Sequence, residues 1–296
     1  QKKIYGIDWE KYPSSFGFEK PKFISKKNAN KNIKDFDAII CSIKAGKELY
    51  KIVKNAKKNN IKVFLFDNID HENIYLNPKE DIYRGFSDFD FIFKKDVPLN
   101  LNNNLIIPIA PVPCKSSLIK DNSRNNLKNS TSIFFVGRHR SGLTREDRIE
   151  LLKLLKDSFV DSNILINKKS ISSIEYDNFS SKSKILVSPA GRVWCSFRHT
   201  ELAQYPGLVI IPKPNCEIYG SQFIHLEDSF LYESEIVNGV YRLKNKEKLI
   251  KDLNLVLENN DLRLKIVQNY KNKILKYHTT ESRSDFLIDS IKTRIK

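Results

Sequence analysis

Cysteine and histidine are sparse in this chain, and neither falls into a metal-binding pattern. The four cysteines are Cys41, Cys114, Cys195 and Cys216, which lie far apart and form no C-x-x-C pair. This spacing argues against a zinc site and against a disulfide scaffold. The five histidines include no H-x-x-x-H pair, so no metal motif is visible. We therefore expect no bound metal, and unpaired cysteines indicate a cytoplasmic protein.

Long apolar runs and methionine are also missing. The longest apolar runs, such as residues 105–110, are far shorter than the roughly 20 residues that span a bilayer, and no signal-peptide pattern is visible. The absence of methionine beside many lysines, asparagines and isoleucines indicates a biased composition. With 40% hydrophobic and 11% aromatic residues among 296, the chain is typical of a folded protein of two modest domains.

The net charge of +16 arises from 51 lysines and arginines against 35 acidic residues. A basic surface attracts polyanions, but the lysines are scattered, often beside asparagine, in residues 28–34, 54–62 and 244–248. Such segments favour solvated faces over a nucleic-acid stripe, so we expect no specific nucleic-acid binding. The charge suits an enzyme that acts on anionic donors, and it allows peripheral contact with anionic lipid at the inner membrane surface.

Strands and helices alternate in the first half of the chain. Apolar runs predict strands at residues 4–8, 36–42, 63–66, 89–93 and 105–109. A helix is predicted at residues 45–59, because its apolar side chains recur at the helical period. This alternation is typical of a parallel sheet.

A second alternating series follows a polar stretch. Strands are predicted at residues 132–136, 163–166, 185–187 and 208–211, and helices at 145–156, 174–181, 196–204, 246–259 and 261–295. Residues 116–130 are rich in Ser, Asn and Lys and form the predicted linker. We therefore predict an α/β protein of two Rossmann-like domains, residues 1–115 and 131–296, with a helical carboxyl-terminal tail.

Residues 184–212 contain the most informative pattern in the chain. They predict a strand, a sharp loop, a helix stopped by Pro206-Gly207, and a second strand. In such a unit a ligand lies beyond the first strand, facing the amino end of the helix, which favours anions. Arg198 could clamp a phosphate and Glu201 could accept ribose hydroxyls. Spacing alone leaves open a plain α/β unit whose Arg and Glu form surface ion pairs.

The same residues resemble the donor site of GT-B glycosyltransferases. The pattern S-P-x-G followed by R-x-x-E, Gly and an aliphatic strand ending in Pro is similar to the exostosin-like and spore-maturation-type (glycosyl transferases group 1) branches. The matching residues are Ser188, Pro189, Gly191, Arg198, Glu201, Gly207, Ile211 and Pro212.

The resemblance implies a role for several of these residues. Glu201 would hold the ribose of a nucleotide sugar, Arg198 would act catalytically on the diphosphate, and Gly191 would allow close approach. Ser188 and His199 would also bind the donor. Many retaining members carry a second Glu eight positions before the ribose Glu, where this chain has Val193, so the stereochemistry stays open.

The implied activity is sugar transfer from a nucleoside diphosphate donor to a hydroxyl on a glycan, lipid-linked or protein acceptor, in cell-envelope or surface glycan synthesis. It would need neither metal nor cofactor, because positioning and cationic side chains would stabilise the departing diphosphate. The alternatives are a nucleotide-sugar binding protein without catalysis and a basic protein associated with nucleic acid.

A second loop could contribute to the same site. Gly137 follows a predicted strand where the first turn of a nucleotide domain would be, and it permits close backbone approach. Arg138 or Arg140 could reach the diphosphate, although an exposed arginine-rich loop is equally compatible with the pattern. Arg145 and Arg148, in the following helix, are weaker candidates.

The first half offers candidates for a general base. Asp70 and His71 follow the strand at residues 63–66, at the sheet edge where ligands bind, and an inverting enzyme needs a base for the acceptor hydroxyl. Asp8 is an alternative, and ordinary turn or capping roles compete with all three. Asp88-Phe89-Asp90 mimics a D-x-D metal motif, but it precedes an apolar run and is interpreted as the start of a strand.

Overall fold

The chain forms two compact units. The computed structural model describes residues 4–7, 33–36, 38–42, 47–67, 89–94, 97–99, 106–109, 118, 132–137, 145–166, 171–191, 194, 196–220 and 222–295. The first unit comprises Gln1–Pro111, Cys216–Tyr219 and Thr280–Lys296, and the second comprises Val112–Asn215 and Gly220–Thr279.

The first unit is built on a five-stranded parallel sheet in the order β1-β2-β3-β4-β6. Its strands are Ile4–Ile7 (β1), Ala38–Ser42 (β2), Lys62–Asp67 (β3), Phe91–Lys94 (β4) and Ile106–Pro108 (β6). The short strand Val97–Pro98 (β5) lies outside this sheet and pairs with Cys216–Glu217 (β11). Continuous apolar runs build the central strands, as expected where both faces of a parallel sheet are covered.

Two apolar layers cover this sheet, one on each face. Helix Lys47–Lys58 (α1) buries Ile52, Val53 and Ala56 against one face. On the other face lies an aromatic layer of Phe64, Phe91 and Phe93, together with Leu287 and Ile291 from the last helix. That helix, Thr280–Ile295 (α7), comes from the carboxyl end of the chain and completes the core of the first unit.

The second unit has its own five-stranded parallel sheet, in the order β12-β10-β9-β7-β8. The strands are Ile133–Gly137 (β7), Ser162–Ile166 (β8), Ile185–Val187 (β9), Leu208–Pro212 (β10) and Phe230–Tyr232 (β12). A separate hairpin is formed by Ser234–Val237 (β13) and Val240–Leu243 (β14). The helices are Glu146–Ser158 (α2), Ser173–Lys182 (α3), Phe197–Glu201 (α4), Lys246–Glu258 (α5) and Asn260–Tyr277 (α6).

Helices α2, α5 and α6 cover one face of this second sheet. Their buried aliphatic residues pack on Ile133, Phe135, Val187 and Ile210 of the sheet. On the opposite face, Phe134 of β7 contacts two aromatic residues of α3, Tyr176 and Phe179. The two alternating series predicted from the sequence are therefore confirmed as two parallel α/β sheets followed by carboxyl-terminal helices.

Two predicted segments differ from the structure. Residues after Pro214 were expected to form a loop up to the helix at 246, but they contain β11, β12 and the β13–β14 hairpin. The hairpin turns at Asn238 and Gly239, which have φ angles of 52° and 75° and suit a tight antiparallel turn. The single helical tail predicted over 261–295 is two helices, since the helix ends at Tyr277 and resumes at Thr280.

The first compact unit is not continuous in sequence. It comprises the residues up to Pro111 together with Cys216–Tyr219 and Thr280–Lys296. Of the predicted linker at 116–130, only Leu118 lies among the described residues, and it is fully buried. None of the described helices combines the length and the apolar character needed to cross a bilayer.

Replacing Gly207 by alanine tests the packing that joins α4 to β10. A Cβ atom at Gly207 would lie 2.7 Å from the carbonyl oxygen of Ser183 and 2.9 Å from Cγ of Leu186, so the backbone must shift. We expect Gly207→Ala to lower the free energy of unfolding by about 1–3 kcal/mol, measured by urea denaturation. Lys251→Ala, at an exposed position of α5, is the control. An unchanged midpoint for Gly207→Ala would contradict the close packing.

Candidate functional site

The strand–loop–helix–strand unit predicted at residues 184–212 is present at the centre of the second sheet. Strand β9 lies between β7 and β10, and its loop leads into α4, which continues as a 3-10 turn over Leu202–Gln204 before β10. Because all the strands of the sheet are parallel, the loop after β9, the end of β7 and the amino end of α4 share its carboxyl edge. That is the edge at which the sequence predicts a ligand.

Two hydrogen bonds hold the loop after β9, one to the backbone N–H of Ala190 and one to its carbonyl oxygen. The backbone N–H of Ala190 donates to Oη of Tyr232 at 2.9 Å, and its carbonyl oxygen accepts from Nη1 of Arg148 at 3.2 Å. Burial raises the pKa of Tyr232, and the charge of Asp147 raises it further, so the phenol keeps its proton. The backbone just before the half-buried Gly191 is therefore fixed in place.

Trp194 anchors the rest of the same loop. Its side chain is buried, and Nε1 donates to the carbonyl oxygen of Pro212 at 2.7 Å. The ring also packs against His199, with 5.1 Å between centroids, and against Phe223, at 6.2 Å. An indole that fills the interior and has its N–H satisfied is a rigid anchor, so the loop is pinned at Ala190 and again at Trp194.

Ser188 and His199 lie under the loop. His199 is 2% exposed and Ser188 is fully buried. Nε2 of His199 lies 2.7 Å from the carbonyl oxygen of Trp194, and Nδ1 lies 2.7 Å from Oγ of Ser188. Because a carbonyl only accepts, Nε2 donates to Trp194, and Nδ1 forms the hydrogen bond with the Ser188 hydroxyl. The carbonyl of His199 in turn accepts the hydroxyl of Tyr270.

Two guanidinium groups lie side by side at the carboxyl end of β7. Arg198, from α4, donates through Nη1 to the carbonyl oxygen of Val136 at 2.9 Å. The guanidinium carbons of Arg198 and Arg148 lie 5.7 and 5.6 Å from the ring centroid of Phe135. Burial lowers the pKa of Arg148, and the positive charge of Arg198 lowers it further. Two adjacent cations at this sheet edge match an anion that carries more than one charge.

Gly137 makes room for these two arginines. A Cβ atom at this position would lie 2.9 Å from Cζ of Phe135, 3.2 Å from Nη1 of Arg198 and 3.4 Å from Nη2 of Arg148. The side chain that Gly137 lacks is thus replaced by the guanidinium pair. The sequence predicts Gly137 in the loop after the strand, whereas the structure has it as the last residue of β7.

Glu201 lies one helical turn beyond Arg198 and is half-buried. Residues three apart on a helix share a face, so the carboxylate and the guanidinium line the same side of α4. Burial and Asp177 have the largest effects in raising the pKa of Tyr205, and the negative charge of Glu201 raises it a little further. Arg198 and Glu201 of the R-x-x-E pattern therefore lie one helical turn apart on α4.

The structure brings six sequence candidates into this region and leaves others outside its description. Gly137, Ser188, Gly191, Arg198 and Glu201 lie at or near the carboxyl edge of the second sheet, with His199 beneath them. Asp70, His71 and Arg138 lie outside the described residues. Arg148, a weaker candidate from the sequence, lies at the site. The sequence signal for this position is that Arg148 comes three and four residues before the buried Leu151 and Leu152, on the same face of α2.

Two further sequence interpretations concern the first unit. Asp90 accepts hydrogen bonds from the backbone N–H of Val63 at 2.8 Å and from Lys57 and Lys62, so it ties the start of β4 to its neighbours, as its interpretation as a strand start implies. Lys94 is fully buried at the end of β4, in register with Asp67. Among the described residues, no three His, Cys, Asp or Glu side chains gather as a metal site.

Comparison with known proteins identifies the fold. No protein-family model matches the chain, and no curated protein sequence matches it. An α-glucosyltransferase solved in complex with UDP-glucose and DNA containing an abasic site is similar with a TM-score of 0.53 and 13% identity, over 99% of this chain and 90% of that one. The chain has the GT-B fold.

Two more solved structures support the GT-B assignment. A glycosyltransferase from Rickettsia africae has a TM-score of 0.53 at 13% identity, over 92% of this chain and 80% of its own. The apo structure of OtsA has a TM-score of 0.56 at 12% identity, over 90% and 77%. At identities this low the likeness establishes the GT-B architecture, and the activity has to be argued from the site.

The variant Tyr232→Phe tests the support beneath the loop. Its loss of Oη leaves the buried N–H of Ala190 without that acceptor, so we expect the free energy of unfolding to fall by about 1–3 kcal/mol. Tyr241→Phe is the matched control, because the Tyr241 hydroxyl accepts from Asn215 at an exposed site and its loss should change stability by less than about 0.5 kcal/mol. Equal effects of the two variants in urea denaturation would show that the contact with Ala190 contributes little.

Proposed function

We propose that this chain is a glycosyltransferase that moves a sugar from a nucleoside diphosphate donor to a hydroxyl acceptor. The observation that carries the proposal is the guanidinium pair of Arg148 and Arg198 at the carboxyl edge of the second sheet, with Glu201 one helical turn away. A diphosphate is an anion of the size and charge that two adjacent arginines hold, and a carboxylate beside it suits the ribose.

The arginine pair would act on the leaving group. When the glycosidic bond to the donor breaks, negative charge develops on the departing diphosphate. Arg148 and Arg198 are already held in place, by the carbonyls of Ala190 and Val136, so little reorganisation is needed when that charge appears. Fixed cations aimed at developing charge supply a large part of the catalysis in many enzymes.

The remaining predicted donor residues divide into two kinds of role. Gly137 and Gly191 would let the donor approach the backbone closely, and Arg138 would reach the diphosphate from the loop after β7. Ser188 and His199 would act by holding α4 and its preceding loop, since both ring nitrogens of His199 are engaged by protein groups. Asp70 and His71 remain the proposed candidates for a general base in the first half of the chain.

A uridine diphosphate sugar is the first donor to test. The α-glucosyltransferase with the same fold holds UDP-glucose in its structure, which supports this choice of donor class without fixing the sugar. The resemblance of the S-P-x-G and R-x-x-E motifs favours the exostosin-like and spore-maturation-type branches, and it supports a glycan, lipid-linked or protein acceptor in cell-envelope or surface glycan synthesis.

Nucleic acid is a second candidate acceptor. It is raised by the DNA present with that α-glucosyltransferase. Binding to duplex DNA that falls steeply with salt, together with transfer of labelled glucose from UDP-glucose to the DNA, would support it. Transfer to glycan acceptors without transfer to DNA would exclude it.

Substitutions at Arg198 and Glu201 separate catalysis from donor binding. We expect Arg198→Ala to lower kcat by about 100-fold or more and to change stability far less. We expect Glu201→Ala to raise the donor KM, or the calorimetric Kd for the nucleotide, by roughly tenfold or more. Arg242→Ala, which removes a half-exposed cation paired with Glu150, is the control. Turnover near wild type in Arg198→Ala would contradict the proposed role of Arg198, and an unchanged donor affinity in Glu201→Ala would remove Glu201 from the site.

A further inference from the structure

A group of three residues ties α3 to the segment that follows Glu201. Tyr205 is the first residue after the 3-10 turn Leu202–Gln204, which continues α4. Its hydroxyl donates to Oδ1 of Asp177 in α3, and its ring meets the ring of Tyr176 edge to face, with 6.1 Å between centroids. We call Tyr176, Asp177 and Tyr205 the α3 bracket.

The α3 bracket is anchored to the sheet through helix α3. Tyr176 packs edge to face on Phe134 of β7, at 6.0 Å. Helix α3 begins with a capping box in which Ser172 and Glu175 satisfy each other's backbone N–H groups, so Tyr176 and Asp177 belong to its opening turns. Because α3 follows β8 of a parallel sheet, those opening turns are near the carboxyl edge, where α4 also begins.

The charges of Arg198 and Glu201 affect the pKa of Tyr176 in the α3 bracket. Burial raises the pKa of Tyr176, the positive charge of Arg198 lowers it, and the negative charge of Glu201 raises it. Burial and the hydrogen bond to Asp177 raise the pKa of Tyr205. Both phenols therefore keep their protons, and the Tyr205 hydroxyl stays a donor to Asp177 throughout the neutral range.

We propose that the Tyr205–Asp177 hydrogen bond positions Glu201 for the nucleoside part of the donor. The proposal rests on the proposed function, in which Glu201 binds the ribose. Glu201 ends α4, a helix of five residues that is too short to hold its own geometry. The chain beyond Glu201 is held from outside by Tyr205, four residues further along. Arg198, at the opposite end of the helix, is held independently through Val136.

Because Glu201 and Arg198 are held by different contacts, we predict that binding of the ribose and binding of the diphosphate can be weakened separately. Loosening the bracket should disturb Glu201, and hence the ribose, while leaving the arginine pair and the diphosphate in place. A role in general stability would weaken both halves together or neither. Tyr205 and Asp177 are therefore positioning residues with a test that separates them from ordinary packing residues.

The experiment compares a whole nucleotide with inorganic pyrophosphate. UDP, GDP and ADP are first titrated by calorimetry into the full chain, and the one that binds most tightly is used for the variants. Pyrophosphate affinity is measured by competition against that nucleotide. We expect Tyr205→Phe and Asp177→Ala each to weaken the nucleotide about three- to tenfold, with pyrophosphate unchanged within about twofold.

Rescue and coupling sharpen this test. Asp177→Asn keeps an oxygen that can accept the Tyr205 hydroxyl, so its nucleotide affinity should stay near that of the wild type. The double variant Tyr205→Phe/Asp177→Ala should be no weaker than either single variant, since both remove one interaction. Tyr241→Phe is the control for loss of a phenol elsewhere in the second unit.

The outcomes distinguish the two proposals. Nucleotide affinity that is unchanged in Tyr205→Phe, or pyrophosphate affinity that falls in parallel, would overturn the positioning role while the proposed function stands. Failure of the wild-type chain to bind UDP, GDP or ADP would overturn the proposed function and this inference with it. A selective loss of nucleotide affinity, rescued by Asp177→Asn, would support the inference.

Discussion

The close approach of two guanidinium groups beside Phe135 is the constraint on which the geometry of the proposed donor site depends. Burial lowers the pKa of Arg148, and the positive charge of Arg198 lowers it further, because like charges in a partly buried setting repel each other. The arrangement persists because each arginine donates to a fixed backbone carbonyl, Arg198 to Val136 and Arg148 to Ala190. Gly137 contributes because it has no side chain where the two guanidinium groups lie.

Rigid support of the loop after β9 follows from this constraint. If the carbonyl of Ala190 could move, Arg148 would lose its acceptor and the cations would separate. The loop is accordingly held from the other side by the buried phenol of Tyr232, and farther along by the indole of Trp194. His199 uses both ring nitrogens inside the protein. Tyr232, Trp194 and His199 are buried inside the protein, and they therefore set the positions of the arginines that we propose bind the donor.

Local patterns predicted the parallel strands and the R-x-x-E helix, because apolar runs and helix stops are encoded over a few residues. The β13–β14 hairpin is also encoded locally, by Asn238-Gly239 between two short apolar runs. The partnership of Arg148 with Arg198 is different. It joins residues 50 positions apart through Phe135 and Gly137, and no spacing rule in one sequence reports such a contact.

The carboxyl-terminal helix shows the same limit at the level of the fold. The helical spacing of its apolar residues predicts that one face of the helix is buried, but it does not identify the residues that cover that face. Leu287 and Ile291 of α7 pack on Phe64 and Phe93, which lie about 190 to 230 residues earlier in the chain. A fragment ending at residue 115 would expose that aromatic face to water, and large exposed apolar patches favour aggregation. The first unit therefore includes helix α7 from the other end of the sequence, and no single division of the sequence separates the two units.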